Sequence, residues 1–412
     1  LPFCCCIILE AMPTMSTLTS ASYTFVRPDG NRIVSGSGSF PNVTSVDYPV
    51  NLPTWIIGSP DVSSNAWLVT SDKGEVRRMR PNGSLEVAQV TARQPIAGVM
   101  DDGTFIPLIV DNLPFEPSKL THPVVTPHGL LFITSEGDLL LWRDNAVIAR
   151  LPINALPDAR IVQQTDSSLA AVYVEPTDRY AHGVLGDALE AASLLVVNIA
   201  DLSEVVRITL PQEEVFEGLM PMWADIDGDG QSELVTTISS ATTGSQIRAY
   251  RLDGTVAAEG DPVGRGGRWR HQIAFGPFGP NGEDELVVVR TPHVGGVIEY
   301  YRYQDGALVI VAELPGYTSH VLYTRNLAMA VAGDFNGDGR LELAIPDQER
   351  EIIAGICRTT DGETQSAEVV WRLPVGGLIC TNLAAMSVTD SNGTELLALA
   401  VGTSDDRLRV WR

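Results

Sequence analysis

The chain repeats itself, and the repeat limits what it can fold into. Apolar runs recur at "AWLVTS" (66–71), "LLFITS" (130–135), "LAAVYV" (169–174), "ELVTTI" (233–238), "ELVVVR" (285–290), "ELAIPD" (342–347) and "ELLALAV" (395–401). A turn and a second run follow each: "EVRRMR", "DLLLWR", "LLVVNI", "QIRAYR", "VIEYYR", "IIAGIC" and "RLRVWR". Most then pass a turn such as Asn82-Gly83, Asp144-Asn145, Asp253-Gly254 or Asp305-Gly306 into a third run. That run tends to end in Leu-Pro, at 52–53, 113–114, 151–152, 210–211, 314–315 and 373–374, with "DPV" at 261–263 in the remaining place. Proline has no amide hydrogen to give a ladder, so it suits a strand exit. With 37 glycines and 26 prolines punctuating short β-branched runs, helix signals are poor. One such unit cannot cover its own faces, so the units must stack on one another. The reading is all-β: a seven-bladed β-propeller of four-stranded antiparallel blades.

The two ends of the chain bear on closure. The last repeat reaches "RLRVWR" (407–412) one strand short, and the first Leu-Pro precedes the first full repeat. Segment 22–53, with "YTFVRPDGNRIV", is therefore expected to complete the last blade, making 22–412 a single propeller. Residues 92–120 add a hairpin that leaves an eighth blade open. Residues 176–190 read as a surface insertion with a helical turn, exposing Tyr180 and His182 as a first candidate partner surface. Residues 1–21 read as a signal-peptide remnant or a disordered N-terminus: "LPFCCCIILEAM" has the look of an apolar leader with "TSA" (19–21) as a cleavage site, but Glu10 interrupts it and Met12 or Met15 are alternative starts.

Two stretches carry chemistry: "ADIDGDGQSEL" (224–234) and "GDFNGDGRLEL" (333–343), each between two apolar runs. Packing so many carboxylates into one hairpin is repulsive unless a cation neutralises them. The donors are all hard oxygens, without His or Cys, which selects calcium or magnesium, and flexible loop geometry favours calcium. The expected ligands are the side chains of Asp225, Asp227, Asp229 and Glu233 with the carbonyl of Gln231, and Asp334, Asn336, Asp338 and Glu342 with the carbonyl of Arg340. Two Ca2+ ions follow. An EF-hand is excluded, because loop position twelve is Thr236 or Ile345 and the flanks are strands. "GPFGPNGEDEL" (276–286) and "SVTDSNGTEL" (387–396) are decayed copies, not expected to hold metal tightly.

The pattern Asp-x-Asp/Asn-Gly-Asp-Gly-x-x-Glu-Leu between strands resembles the FG-GAP/VCBS repeat family, to which the propellers of integrin α-subunits belong. The likeness is specific at 219–240 and 328–347, weaker at 274–290 and 383–401, and absent before about residue 200. It implies a calcium-stabilised, usually extracellular or cell-surface propeller that displays loops for protein or glycan recognition and adhesion.

No catalytic constellation is legible. The histidines at 122, 128, 182, 271, 293 and 320 lack HxxH or HExxH spacing, there is no GxSxG elbow, and "GRGG" (264–267) is a poor phosphate cradle. Trp142, Trp269, Trp371 and Trp411, each before an arginine, read as blade-packing residues, and Cys357 and Cys380 are left open as a pair. A net charge of −23 argues against nucleic acid, and no apolar run is long enough to span a membrane. The leading reading is a non-enzymatic recognition module. The alternative is a propeller-type polysaccharide lyase or hydrolase with a central-channel active site.

Overall fold

The computed structural model describes residues 18–21, 27–59, 66–71, 75–79, 85–89, 96–100, 105–108, 113–121, 123–165, 167–361, 364–389 and 393–412. Among them every regular element is a strand. Apart from 18–21, the leader expected in 1–21 lies outside the described residues.

Most strands belong to antiparallel four-strand meanders. The first is Pro53–Ser59, Ala66–Ser71, Glu75–Met79 and Leu85–Gln89. The second is Val124–Thr126, Gly129–Ile133, Asp138–Arg143 and Ala146–Pro152. The third is Val162–Gln163, Leu169–Thr177, Glu190–Asn198 and Glu204–Thr209. The fourth is Met222–Ala224, Glu233–Ser240, Gly244–Tyr250 and Val256–Gly260. Arg270–Gly276, Glu285–Arg290, Val297–Gln304 and Ala307–Pro315 form the fifth. Val331–Asp334, Glu342–Pro346, Ile352–Asp361 and Thr364–Pro374 form the sixth. The seventh is Ala384–Thr389, Glu395–Thr403 and Arg407–Trp411, and its outer edge is Ser45–Pro49, paired antiparallel with Arg407–Trp411.

Not every meander stands apart. Edge bridges (Ala191 with Phe216, and the parallel pair Glu259 with Ala307) fuse the third, fourth and fifth into one 13-stranded sheet. The hairpin of 92–120 is Ile96–Met100 with Phe105–Leu108, and it pairs with Leu18–Ala21 in a separate three-stranded sheet. The helical turn expected in 176–190 is absent: its residues leave one strand at Thr177, pass through bends and turns, and enter the next at Glu190.

Burial falls from the first strands to the last in the second to seventh meanders. Glu233–Ser240 and Glu342–Pro346 are buried on both faces, whereas the fourth strand Ala146–Pro152 is largely exposed. Two-faced burial requires a neighbour on each side, and continuous apolar runs supply it. The side-chain clusters run accordingly. One joins Trp55 and Leu68 of the first meander through the second and third to Trp223 and Leu234 of the fourth. Others join fourth to fifth, fifth to sixth, and sixth to seventh. A further cluster packs Trp67 and Met79 of the first against Met386 and Val410 of the seventh.

Packing is close at Gly355, where an added Cβ would sit 1.9 Å from Cε2 of Trp371 on the paired strand. Gly355→Ala should cost about 1–3 kcal/mol by overpacking, read as a lowered urea midpoint with unchanged slope.

Residues 27–38 cross the first strands of four successive meanders. The amides of Gln163 and Trp223 donate to the carbonyls of Pro28 and Asp29 at 2.7 and 2.9 Å. Asn31 Nδ2 donates to the Phe275 carbonyl at 2.7 Å, and Arg32 Nη1 to those of Gln272 and Ile273 at 3.0 and 3.1 Å. The Ala332 amide donates to the Arg32 carbonyl at 2.8 Å, and Ile33–Ser37 then runs parallel to Val331–Asp334. Gly30, at φ +86°, passes so close to the Pro221 carbonyl that a Cβ would lie 3.0 Å from its oxygen.

Candidate metal centre

Both acidic loops are hairpin tips between the first two strands of a meander, with Ala224 opposite Glu233 and Gly333 opposite Glu342. Glycines at positive φ turn the chain, Gly228 and Gly230 in one loop and Gly337 and Gly339 in the other. The loop backbone then points amides at the acids. Asp225 Oδ2 accepts from Gly230 at 3.0 Å, and Asp229 Oδ1 from Gln231 at 2.8 Å. Asp334 accepts from Gly337 and Gly339 at 2.8 and 3.2 Å, and Asp338 Oδ1 from Arg340 at 2.9 Å.

The geometry brings Asp225, Asp227 and Asp229 together, each offering an oxygen within 4.8 Å of the others, and likewise Asp334, Asp338 and Glu342. The first group closes without Glu233, whose Oε2 instead accepts from the Ile226 amide at 3.0 Å. Arg251, which sequence reasoning did not single out, reaches Asp227 Oδ2 at 2.8 Å and supplies one positive charge. In the second loop Asn336 sits beside Asp338, its Nδ2 donating to Asp338 Oδ2 at 3.1 Å. Gln231 is exposed and Arg340 half-buried, its guanidinium donating to the Arg358 carbonyl.

The donor set fits a hard cation. Asp225 Oδ1 and Glu342 Oε1 are buried with no hydrogen-bond donor, which is costly for a carboxylate oxygen. Burial first, then the neighbouring aspartates, raise Glu233 to about 7. Burial also raises Glu342 to about 7, with Asp338 and Asp334 adding to it against the pull of the Asn336 and Phe335 amides.

The decayed loop 276–286 solves the same problem differently. Its foot residue Glu285 occupies the place of Glu233 and Glu342, opposite Gly276, and is fully buried. Arg358 Nε meets Glu285 Oε2 at 2.8 Å with both side chains wholly inaccessible, and Arg302 Nη2 meets Oε1 at 2.5 Å. The Arg358 guanidinium also lies 5.3 Å from the Tyr300 ring. In this loop, which lacks the aspartates of the other two, arginines carry the neutralising charge.

The chain matches no family model and no curated protein. Among solved structures it is similar to the computationally designed Ika8 protein, with 12% identity, a TM-score of 0.49, and 93% of this chain and 99% of that chain covered. It is also similar to BamB from Moraxella catarrhalis, with 10% identity, a TM-score of 0.41 and coverage of 96% and 99%. For Hsv2 from Kluyveromyces lactis the identity is 9%, the TM-score 0.40 and the coverage 79% and 99%.

A second cluster was not legible from spacing. The ring of Trp269 stacks on His271 (5.1 Å between centroids, 11° between planes) and on His293 (6.0 Å, 18°), and meets His320 edge-on at 5.3 Å. His320 Nε2 donates to the Thr324 carbonyl at 2.7 Å, so its Nδ1 is the bare nitrogen that accepts from His293 Nε2 at 2.5 Å. Burial lowers His293 to about 4 and His320 to about 3. Nearby, His182 Nδ1 meets Glu217 Oε1 at 2.6 Å. Burial alone would lower His182, but the Glu217 bond and charge outweigh it and hold it above the usual imidazole range. His182, His293 and His320 come from separate loops and His271 from the strand Arg270–Gly276. His128 stays in its own turn, and His122 lies outside the described residues.

Tyr180 is not the exposed residue expected. It is buried, and its hydroxyl accepts from the Gly267 amide at 3.0 Å, so the insertion folds down onto the 264–267 loop. His182 is likewise drawn inward by Glu217. Trp142, Trp269, Trp371 and Trp411 are all buried, and Cys357 and Cys380 are free thiols. Among the described residues no helix is long and apolar enough to cross a membrane.

Proposed function

We propose that the chain is a seven-bladed β-propeller of the FG-GAP/VCBS type, stapled by two calcium ions, that acts outside the cytoplasm as a protein or glycan recognition module. Calcium rests on one observation. Glu285 is buried in ion pairs with two arginines, whereas among the described residues Glu233 and Glu342, in the same structural place, are buried without an ion pair. Calcium on Asp225, Asp227, Asp229 and Glu233, and on Asp334, Asn336, Asp338 and Glu342, would supply the missing charge. The propeller reading draws on the two-faced burial of the inner strands and on the cluster joining the first meander to the seventh. Loops this exposed suit millimolar calcium, which favours an extracellular or cell-surface setting.

A polysaccharide lyase or hydrolase has less support, because it needs an open interior and residues 27–38 lie across four of the innermost strands. A panel of polyuronates and glycans distinguishes the two readings: binding without turnover is expected, and turnover would overturn the recognition reading.

The calcium reading is tested by melting temperature in EDTA, in calcium and in magnesium. Each ion that binds only the folded chain adds about 2.7 kcal/mol at hundredfold excess over Kd. A calcium-specific rise is expected, and its absence would leave the loops as plain acidic turns.

A further inference from the structure

We propose that a small anion of about the size of chloride binds inside the molecule, between Arg32, Trp269 and His271. These three side chains line a pocket with Gly30, Met220 and Glu217, and it has room for little more than one water-sized sphere. Its acceptors are engaged, the Glu217 carboxylate by His182 and Ser239 and the Met220 carbonyl by Gln272, whereas three of its donors are not. Arg32 Nε, Trp269 Nε1 and His271 Nε2 are all buried with no partner. Arg160 stands behind the wall: its amide holds the Leu219 carbonyl at 2.8 Å, and its own Nη1 is buried and unpartnered.

The charges are as unbalanced as the hydrogen bonds. Arg32 and Arg160 are 2% and 3% exposed. Arg32 spends Nη1 on two carbonyls, and among the described residues it forms no ion pair. The charged neighbour acting on it is Arg160, and burial with that like charge lowers Arg32 to about 9. Arg160 has Asp158 near it, but Asp158 is held by Arg325 at 2.7 Å. Glu217 lies in the same wall with Oε1 on His182 and Oε2 on the Ser239 hydroxyl. A buried guanidinium without a counter-charge is strongly unfavourable.

The donor set selects the occupant. Ser319 Oγ lies 2.8 Å from His271 Nδ1 and can donate to it, which leaves Nε2 as an N–H pointing away. A cation is repelled. A water could meet these donors with its lone pairs but would leave the buried Arg32 charge unbalanced. A monatomic anion uses every donor and balances Arg32. Carboxylates longer than formate exceed the space.

The test uses the full chain in saturating calcium at constant ionic strength, with chloride replaced stepwise by gluconate, which is too large to enter. The melting temperature should rise with chloride and saturate, and bromide should substitute for it. Arg32→Met should lose this halide dependence whatever its own stability. A flat wild-type response, or an equal slope in Arg32→Met, would overturn the proposal. Crystals grown in bromide give a reading independent of any variant. An anomalous peak within hydrogen-bond reach of Arg32 Nε and Trp269 Nε1 is expected, and a water there, or an empty pocket, would overturn it.

Discussion

Arg358→Met should destabilise the protein by about 3–5 kcal/mol, because it removes the main partner of a buried charge and leaves the charge behind. Glu285 is wholly inaccessible and takes both ends of its carboxylate to arginine, and Arg302, at the more exposed side, cannot replace the two bonds from Arg358. The double variant Glu285→Gln with Arg358→Met should recover most of the loss, since neutralising both members of a buried pair removes the stranded charge. Urea unfolding of the two single variants and the double variant measures the coupling. A loss of under about 1 kcal/mol in Arg358→Met would place the pair with ordinary surface bridges, and would remove the contrast on which the calcium reading rests.

Glu342→Gln should behave in opposite ways with and without calcium. In calcium it should forfeit the second ion's share, about 2.7 kcal/mol at hundredfold excess over Kd. In chelator the same substitution should be neutral or stabilising, because the native carboxylate is then buried with an unpaired oxygen and no counter-charge. Melting curves in both buffers give the sign, and calorimetric titration should find one ion bound in place of two. An equal loss in both buffers would mean that Glu342 acts through the Phe335 and Asn336 amides it accepts from at 2.8 and 3.1 Å, and that no ion is involved in that loop.

What the sequence disclosed was local. The runs 233–238 and 342–347 read as strands because β-branched and small apolar residues there are buried on both faces. The acidic tips read as tips because glycine and aspartate alternate within nine residues. What it hid was distant. Glu285 looked like the remnant of a lost ligand set, and its replacement cation is 73 residues away at Arg358. Tyr180 looked like a loop aromatic, and a single amide 87 residues on, at Gly267, draws it under cover. The histidine cluster takes His182, His293 and His320 from three loops and His271 from a strand, so no spacing rule could find it. Arg251 follows the end of Gly244–Tyr250, and the pairing of Tyr250 with Leu234 brings it to the Asp227 it neutralises.

The contacts of residues 27–49 also set an order of assembly. On the ribosome this stretch emerges some 300 residues ahead of the segments it pairs with. Arg32 waits for Ala332, and Tyr48 waits for Leu408, its register partner at the far end of the chain. Each meander can zip up from neighbouring residues as it appears, but the seam that joins residues 33–49 to 332–334 and 407–411 closes only once both sides have been made. Loop closure over such a separation is slow relative to hairpin formation. Until then the outer edge of Arg407–Trp411 and the first strands crossed by residues 27–38 stand open, so the aggregation hazard is greatest just before this seam closes.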